Sequence, residues 1–130
     1  MRLLLDTHAV VWWHDRRLGP TAHELIRSSA IRPWISVASV WEAAIKHAAG
    51  RLRLPRTPED LLSDTALEAE GFQVLSIRAA HALAAAALPR HHGDPFDRMI
   101  IAQARAESLT IVTSDPEFDA YSVPTLDARS

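Results

Sequence analysis

Four acids in this chain stand where a carboxylate needs a partner: Asp6, Glu42, Asp97 and Asp115. Asp6 closes the run Leu3-Leu4-Leu5, and a short apolar run of this kind reads as a strand buried on both faces. Asp115 follows Thr110–Thr113 (TIVT) in the same way. Parallel strands put their carboxyl ends on one edge of a sheet, and open α/β sheets bind ligands at that edge. Asp97 falls with Ile100, Ile101 and Ala104 at i, i+3, i+4 and i+7, so its carboxylate belongs to the apolar face of its own helix. An unpaired charge on such a face is costly, and a helix dipole offsets only some tenths of a kcal/mol. Glu42 lies at the edge of the stripe Val37, Val40, Trp41, Ala44, Ile45 and Ala48, with a side chain long enough to reach a shared site. Asp94 reads as the N-cap of the Asp97 helix, with a supporting place beside the site.

Clustered carboxylates raise one another's pKa, so the group calls for a cation. Magnesium or manganese takes oxygen ligands and keeps waters for phosphate substrates. Zinc fits less well. There is no cysteine, and none of the seven histidines shows the H-E-x-x-H arrangement. The pair His91-His92 reads as solvated loop, with contact to a phosphate beside Asp94 as its alternative role. Helix capping alone is the competing explanation for Asp6 and its companions, and it predicts no metal binding.

The elements that must position these acids alternate strand and helix throughout, which implies a parallel sheet with helices on both faces. After the Leu3–Leu5 strand, Thr7–His14 reads as a short apolar helix or turn. Thr21–Ser29 follows as a helix opened by Pro20, and Pro33–Ser36 as a short strand. Val37–Ala49 is a helix stopped at Gly50, Arg51–Arg56 a basic loop, and Thr57 the cap of a helix running to Gly71. Phe72–Leu75 reads as a buried strand, and Ser76 as the cap of a helix Ile77–Leu88. The Asp94-Pro95 helix runs to about Ser108, Pro116–Tyr121 is a turn or short helix, and Ser122–Leu126 is an edge strand, since it holds Pro124.

The 130 residues fit one domain, 1–130, of ordinary globular composition: 48% hydrophobic and 23% charged. A net charge of −2 excludes a bulk-basic nucleic-acid binder but not a local basic patch. No apolar run approaches the length of a membrane span, and the opening Met1-Arg2 leaves no room for a signal peptide. With no cysteine, a cytoplasmic setting is the expectation. No phosphate-binding glycine loop, dinucleotide fingerprint or G-x-S-x-G elbow occurs. Trp12, Trp13, Trp34 and Trp41 read mainly as core or subunit contacts, with one of the adjacent pair Trp12-Trp13 at a partner surface.

With these residues placed, the chain resembles the PIN-domain family, and within it the VapC-type toxin ribonucleases of type II toxin–antitoxin pairs. LLLDTHAVVWW, SVASVWEAAIKHAAGRLRLP, HHGDPFDRMIIAQA and TIVTSD-PEFDAY carry the resemblance, in that order and over nearly the whole length. It implies a PIN-like α/β/α sandwich around a parallel sheet of four to five strands. It also implies an acidic quartet at Asp6, Glu42, Asp97 and Asp115, with Asp6 and Asp97 as principal metal ligands and Thr113 as the hydroxyl near the last acid. Mg²⁺- or Mn²⁺-dependent RNA cleavage, homodimerisation and a cognate VapB-type antitoxin follow from the same resemblance. Arg51, Arg53, Arg56, Arg90 and Arg98 are then the candidates to hold the RNA backbone. Two rivals remain: an α/β phosphohydrolase with Asp6 as nucleophile, and a non-catalytic RNA- or protein-binding module. His8 counts against the first, because such enzymes want a second aspartate there. The intact quartet counts against the second.

Overall fold

A computed structural model describes residues 1–28 and 30–130. Five short strands form one parallel sheet in the order β3-β2-β1-β4-β5. They are β1 (Leu3–Leu5), β2 (Trp34–Ser36), β3 (Gln73–Leu75), β4 (Thr110–Thr113) and β5 (Thr125–Asp127). β1 lies at the centre, pairing Leu5 with Ile35 on one side and with Val112 on the other. All three leucines of β1 are fully buried, as a strand covered on both faces requires. Strand order reverses between β1 and β4, so the switch point of this sheet falls at the carboxyl ends of these two strands.

Two hydrophobic clusters cover the two faces. Leu3, Leu5 and Val112 face one side, with Ala9 and Val10 of α1 (Thr7–Asp15), Ile26 of α2 (Pro20–Arg27) and Ala43 of α3 (Val37–Ala48). Leu61 and Leu62 of α4 (Pro58–Leu62) and Leu67 of α5 (Asp64–Ala69) complete that layer. Leu4 and Ile111 face the other side, against Ala85 of α6 (Ala79–Ala87), Ile100 and Ile101 of α7 (Pro95–Glu107), and Phe118 and Tyr121. The result is the α/β/α sandwich with helices on both faces of a parallel sheet.

Several local expectations change. α3 buries Ala38, Ser39, Glu42 and Ala43, while Trp41 (62%) and Ile45 (44%) of the sequence stripe are exposed. The helical period is real, but small side chains bring α3 close to α1, and the bulky ones point away. Glu42 is therefore at the middle of the buried face and not at the edge of one. The exposed tryptophan is Trp41; Trp12 and Trp13 are half-buried against the first cluster.

The helix expected from Thr57 to Gly71 is two helices, broken at Ser63. Its backbone is extended there (φ −66°, ψ 158°), and its hydroxyl accepts from the Ala66 N–H to cap the second. α6 begins at Ala79 and not at Ile77, because the cap is supplied by His81, whose Nδ1 accepts the Arg78 N–H at 3.0 Å, and not by Ser76. β3 is an outer strand with Gln73 and Val74 half-buried, so the apolar run Phe72–Leu75 is less enclosed than expected. The expected end of the second helix, Ser29, lies outside the described residues.

The last turn of α6 has no glycine cap. Instead the Arg98 guanidinium reaches over from α7 and donates to the carbonyls of Ala85 (2.9 Å), Ala86 (3.4 Å), Leu88 (2.8 Å), Pro89 (2.9 Å) and His92 (3.2 Å). A charged fork satisfies acceptors that a helix end leaves open, and it also ties down the loop that leads to α7. Arg98→Met keeps the stem and removes the fork. It should lower stability by about 2–3 kcal/mol in urea unfolding, and an unchanged midpoint would show that the carbonyls find other partners.

Candidate active site

Each acid arrives at the switch point on its own element. Asp6 leaves β1 as the N-cap of α1, its Oδ1 accepting the Ala9 N–H at 2.8 Å. It is 2% exposed. Burial pushes its carboxyl up, and Asp115 adds to this, while hydrogen bonds from Thr113 and Ala9 and the charge of His8 pull the other way. Thr113 thus stands between two acids, because the same hydroxyl accepts the Asp115 N–H at 3.0 Å.

Asp97 rides in the first turn of α7, capped by Asp94, whose Oδ1 accepts the N–H groups of Phe96 (2.8 Å) and Asp97 (3.1 Å). Its carboxyl is pushed up to about 7, first by burial, then by the charges of Asp94 and Glu42 and more weakly by Asp6, with His92 opposing them. Glu42 is 4% exposed on α3. Its Oε1 accepts the Thr7 hydroxyl at 2.5 Å, and its Oε2 accepts the Lys46 ammonium at 2.6 Å. Asp115 caps the 3₁₀ turn Pro116–Ala120 through the Glu117 N–H at 2.9 Å and is the most open of the four.

The four acids expected from sequence are therefore in one electrostatic neighbourhood, drawn from β1, α3, α7 and the end of β4. Thr7, His8, Val11, Glu42, Lys46, Leu52, Asp94 and Asp97 line a cleft beside them. Arg51 and Arg53 flank Leu52 and are exposed, as are Arg56 and Arg90. Arg98 is not free for a ligand, since its donors are taken by carbonyls.

Three residues escaped the sequence reading. Lys46 is the chain's one lysine, and its i, i+4 spacing from Glu42 was the available signal. His92, read as solvated loop, is 12% exposed, with Nε2 2.8 Å from Asp97 Oδ2 and 3.6 Å from Asp115 Oδ2. Glu117 lies 3.2 Å from the other ring nitrogen of His92.

The donor set fits a hard divalent cation. Two buried carboxyls are held above their ordinary range, and their repulsion is what a 2+ charge relieves.

The PIN domain family model matches residues 3–124. The chain belongs to the PIN domain family. Solved structures similar to this PIN domain include VapBC2 from Rickettsia felis bound to a promoter DNA fragment, with a TM-score of 0.70 at 17% identity over 97% of this chain and 98% of that one. DNA-bound VapBC from Salmonella typhimurium gives 0.70 at 20% identity, over 98% of each chain. FitAcB from Neisseria gonorrhoeae gives 0.65 at 23% identity, over 97% of each. These likenesses show the fold. No curated protein matches the sequence.

The raised Asp97 carboxyl makes the stability of this PIN domain depend on pH. Between the ordinary value of 3.8 and about 7, the folded chain keeps a proton that the unfolded chain has lost. Stability from this group is therefore present at low pH and lost as pH rises through that window. In EDTA at pH 8, Asp97→Asn should melt about 4 °C or more above wild type, with the gap closing at pH 5. A variant that melts no higher at pH 8 contradicts the raised carboxyl.

Proposed function

We propose that the protein is a metal-dependent endoribonuclease of the VapC type, the toxin of a toxin–antitoxin pair, that hydrolyses RNA phosphodiester bonds and is inhibited by a VapB-type antitoxin. The observation that carries this reading is the convergence of Asp6, Glu42, Asp97 and Asp115 from four separate segments on the switch point of a PIN-domain sheet. The neighbours named VapBC, each under 25% identical, support it through the shared fold.

Bound Mg²⁺ or Mn²⁺ supplies a water of lowered pKa and offsets charge on the phosphoryl oxygens. Asp6 and Asp97 would hold the ion, and Asp115 would complete the pocket. Glu42, already engaged by Thr7 and Lys46, would act through water. Asp94 keeps the first turn of α7 in place and adds negative charge beside Asp97. Thr113 holds Asp6 and the backbone before Asp115 in fixed relation. Hydrolysis by an in-line water leaves a 5′-phosphate and a 3′-hydroxyl. Arg51, Arg53 and Arg90 remain candidates for the RNA backbone; Arg98 is committed to the carbonyls of Ala85, Leu88 and Pro89.

An antitoxin segment that presents an arginine would suit the same acidic pocket. A single domain, a homodimer and a cytoplasmic setting belong to this reading. Among the described residues no helix is long and apolar enough to cross a membrane. A phosphohydrolase with Asp6 as nucleophile is disfavoured, because that carboxylate is buried and takes hydrogen bonds from Ala9 and Thr113.

Purified protein should cut total bacterial RNA into discrete fragments with Mg²⁺ or Mn²⁺ and not with EDTA. Asp97→Asn should lose more than about 100-fold in rate, beyond what loss of a mere supporting residue costs. Equal behaviour of wild type and variant under every condition would end the catalytic reading.

A further inference from the structure

Lys46 is the one lysine among the chain's 14 lysines and arginines, and it lies on the wall of the acidic cleft. Three acids, Glu42, Asp94 and Asp97, line that cleft with it, and no other side chain in the lining carries a permanent positive charge. Its Nζ donates to Glu42 Oε2 at 2.6 Å. On an open helix face such an i, i+4 pair is loosely held. Here the acceptor is pinned. Glu42 is 4% exposed, and its Oε1 accepts the Thr7 hydroxyl, which also lies 3.1 Å from Ser39 Oγ. The Lys46 head group is thus tethered to a fixed point, while its side chain remains 32% exposed.

An ammonium has three donors. Glu42 takes one, and among the described residues Nζ makes no other hydrogen bond. The residue type matters here. A guanidinium would lie fork to fork on the Glu42 carboxylate and commit its paired donors there. An ammonium neutralises Glu42 through a single bond and keeps donors for a second acceptor. The acceptor that suits a compact charge of this kind is an anionic oxygen, and RNA offers one at every phosphate. Carboxylates repel such a ligand, so a backbone passing Asp94 and Asp97 needs a fixed positive charge besides any cation held there.

We infer that Lys46 donates to a phosphate oxygen of RNA lying in the acidic cleft, and that Glu42 positions it to do so. The inference rests on the reading that RNA is the substrate. It goes beyond that reading by giving one backbone contact to a named side chain and by making Glu42 its support.

The test is RNA binding read without cutting. Asp97→Asn, expected to cut slowly, is the background, with and without Lys46→Gln. Fluorescence anisotropy follows labelled oligo(A) and oligo(U) at constant Mg²⁺ over a range of KCl. Lys46→Gln should weaken both probes alike, on the order of 10-fold, because a phosphate contact reads no base. The slope of the log binding constant against log salt should flatten by about 0.7, the share of one phosphate on a single strand. A merely structural lysine would leave that slope where it was. Should Lys46→Gln fail to fold, Glu42→Gln with Lys46→Gln leaves no buried charge behind and carries the same comparison. An unchanged slope, or weakening confined to one probe, overturns the phosphate contact and leaves the nuclease reading standing. A wild type that cuts no RNA, with an Asp97→Asn that binds neither probe, overturns both.

Discussion

Carboxylates that share a poorly solvated corner repel one another, and this chain assembles four of them at the carboxyl end of its central strands. The repulsion acts on groups that burial already disfavours as anions, which is why Asp6 and Asp97 are both pushed up. The fold must hold them there against that force. It does so by giving two of the four, and the neighbouring Asp94, a second task. Asp6 caps α1, Asp94 caps α7 and Asp115 caps the 3₁₀ turn, so each takes backbone N–H donors at a positive helix end. Glu42 has no cap to serve, and it is steadied by Thr7 and Lys46. The site is therefore stable enough to persist yet left with unrelieved negative charge, the condition under which a divalent cation binds well.

The packing follows from this arrangement. α3 carries Glu42 inward only because Ala38, Ser39 and Ala43 let it lie close to α1, and the same turn of the helix sends Trp41 and Ile45 outward. α7 anchors Asp97 above Ile100, Ile101 and Ala104, and through Arg98 it also secures the end of α6 and the loop bearing His92. One helix thus fixes an acid and the histidine that touches it, 2.8 Å apart.

Much of this was legible in the sequence. Leu3-Leu4-Leu5 before Asp6, TIVT before Asp115 and the i, i+3, i+4, i+7 pattern from Asp97 gave the sheet, its edge and the buried acid, because each signal is local. The face of α3 was misread because periodicity shows that a helix has a stripe and not which side its neighbours take. Ser63 broke a helix through a side-chain hydrogen bond that competes with the helical one, and composition does not reveal that. His92 was unreadable for a different reason. Apart from its contact with Asp97, its surroundings come from Tyr121, Phe118, Asp115 and Glu117, more than twenty residues away in sequence, while the local run offered a solvated loop or a phosphate contact beside Asp94.

In the proposed function a cation relieves the repulsion among these acids, and the Asp97 carboxyl would report it directly. Its titration can be followed by ¹³C NMR of the labelled carboxyl, first in EDTA and then in saturating Mg²⁺. A midpoint at about 7 without metal, falling below the ordinary 3.8 with it, is the predicted result. A midpoint near 3.8 in EDTA, or one that metal leaves unmoved, would contradict it.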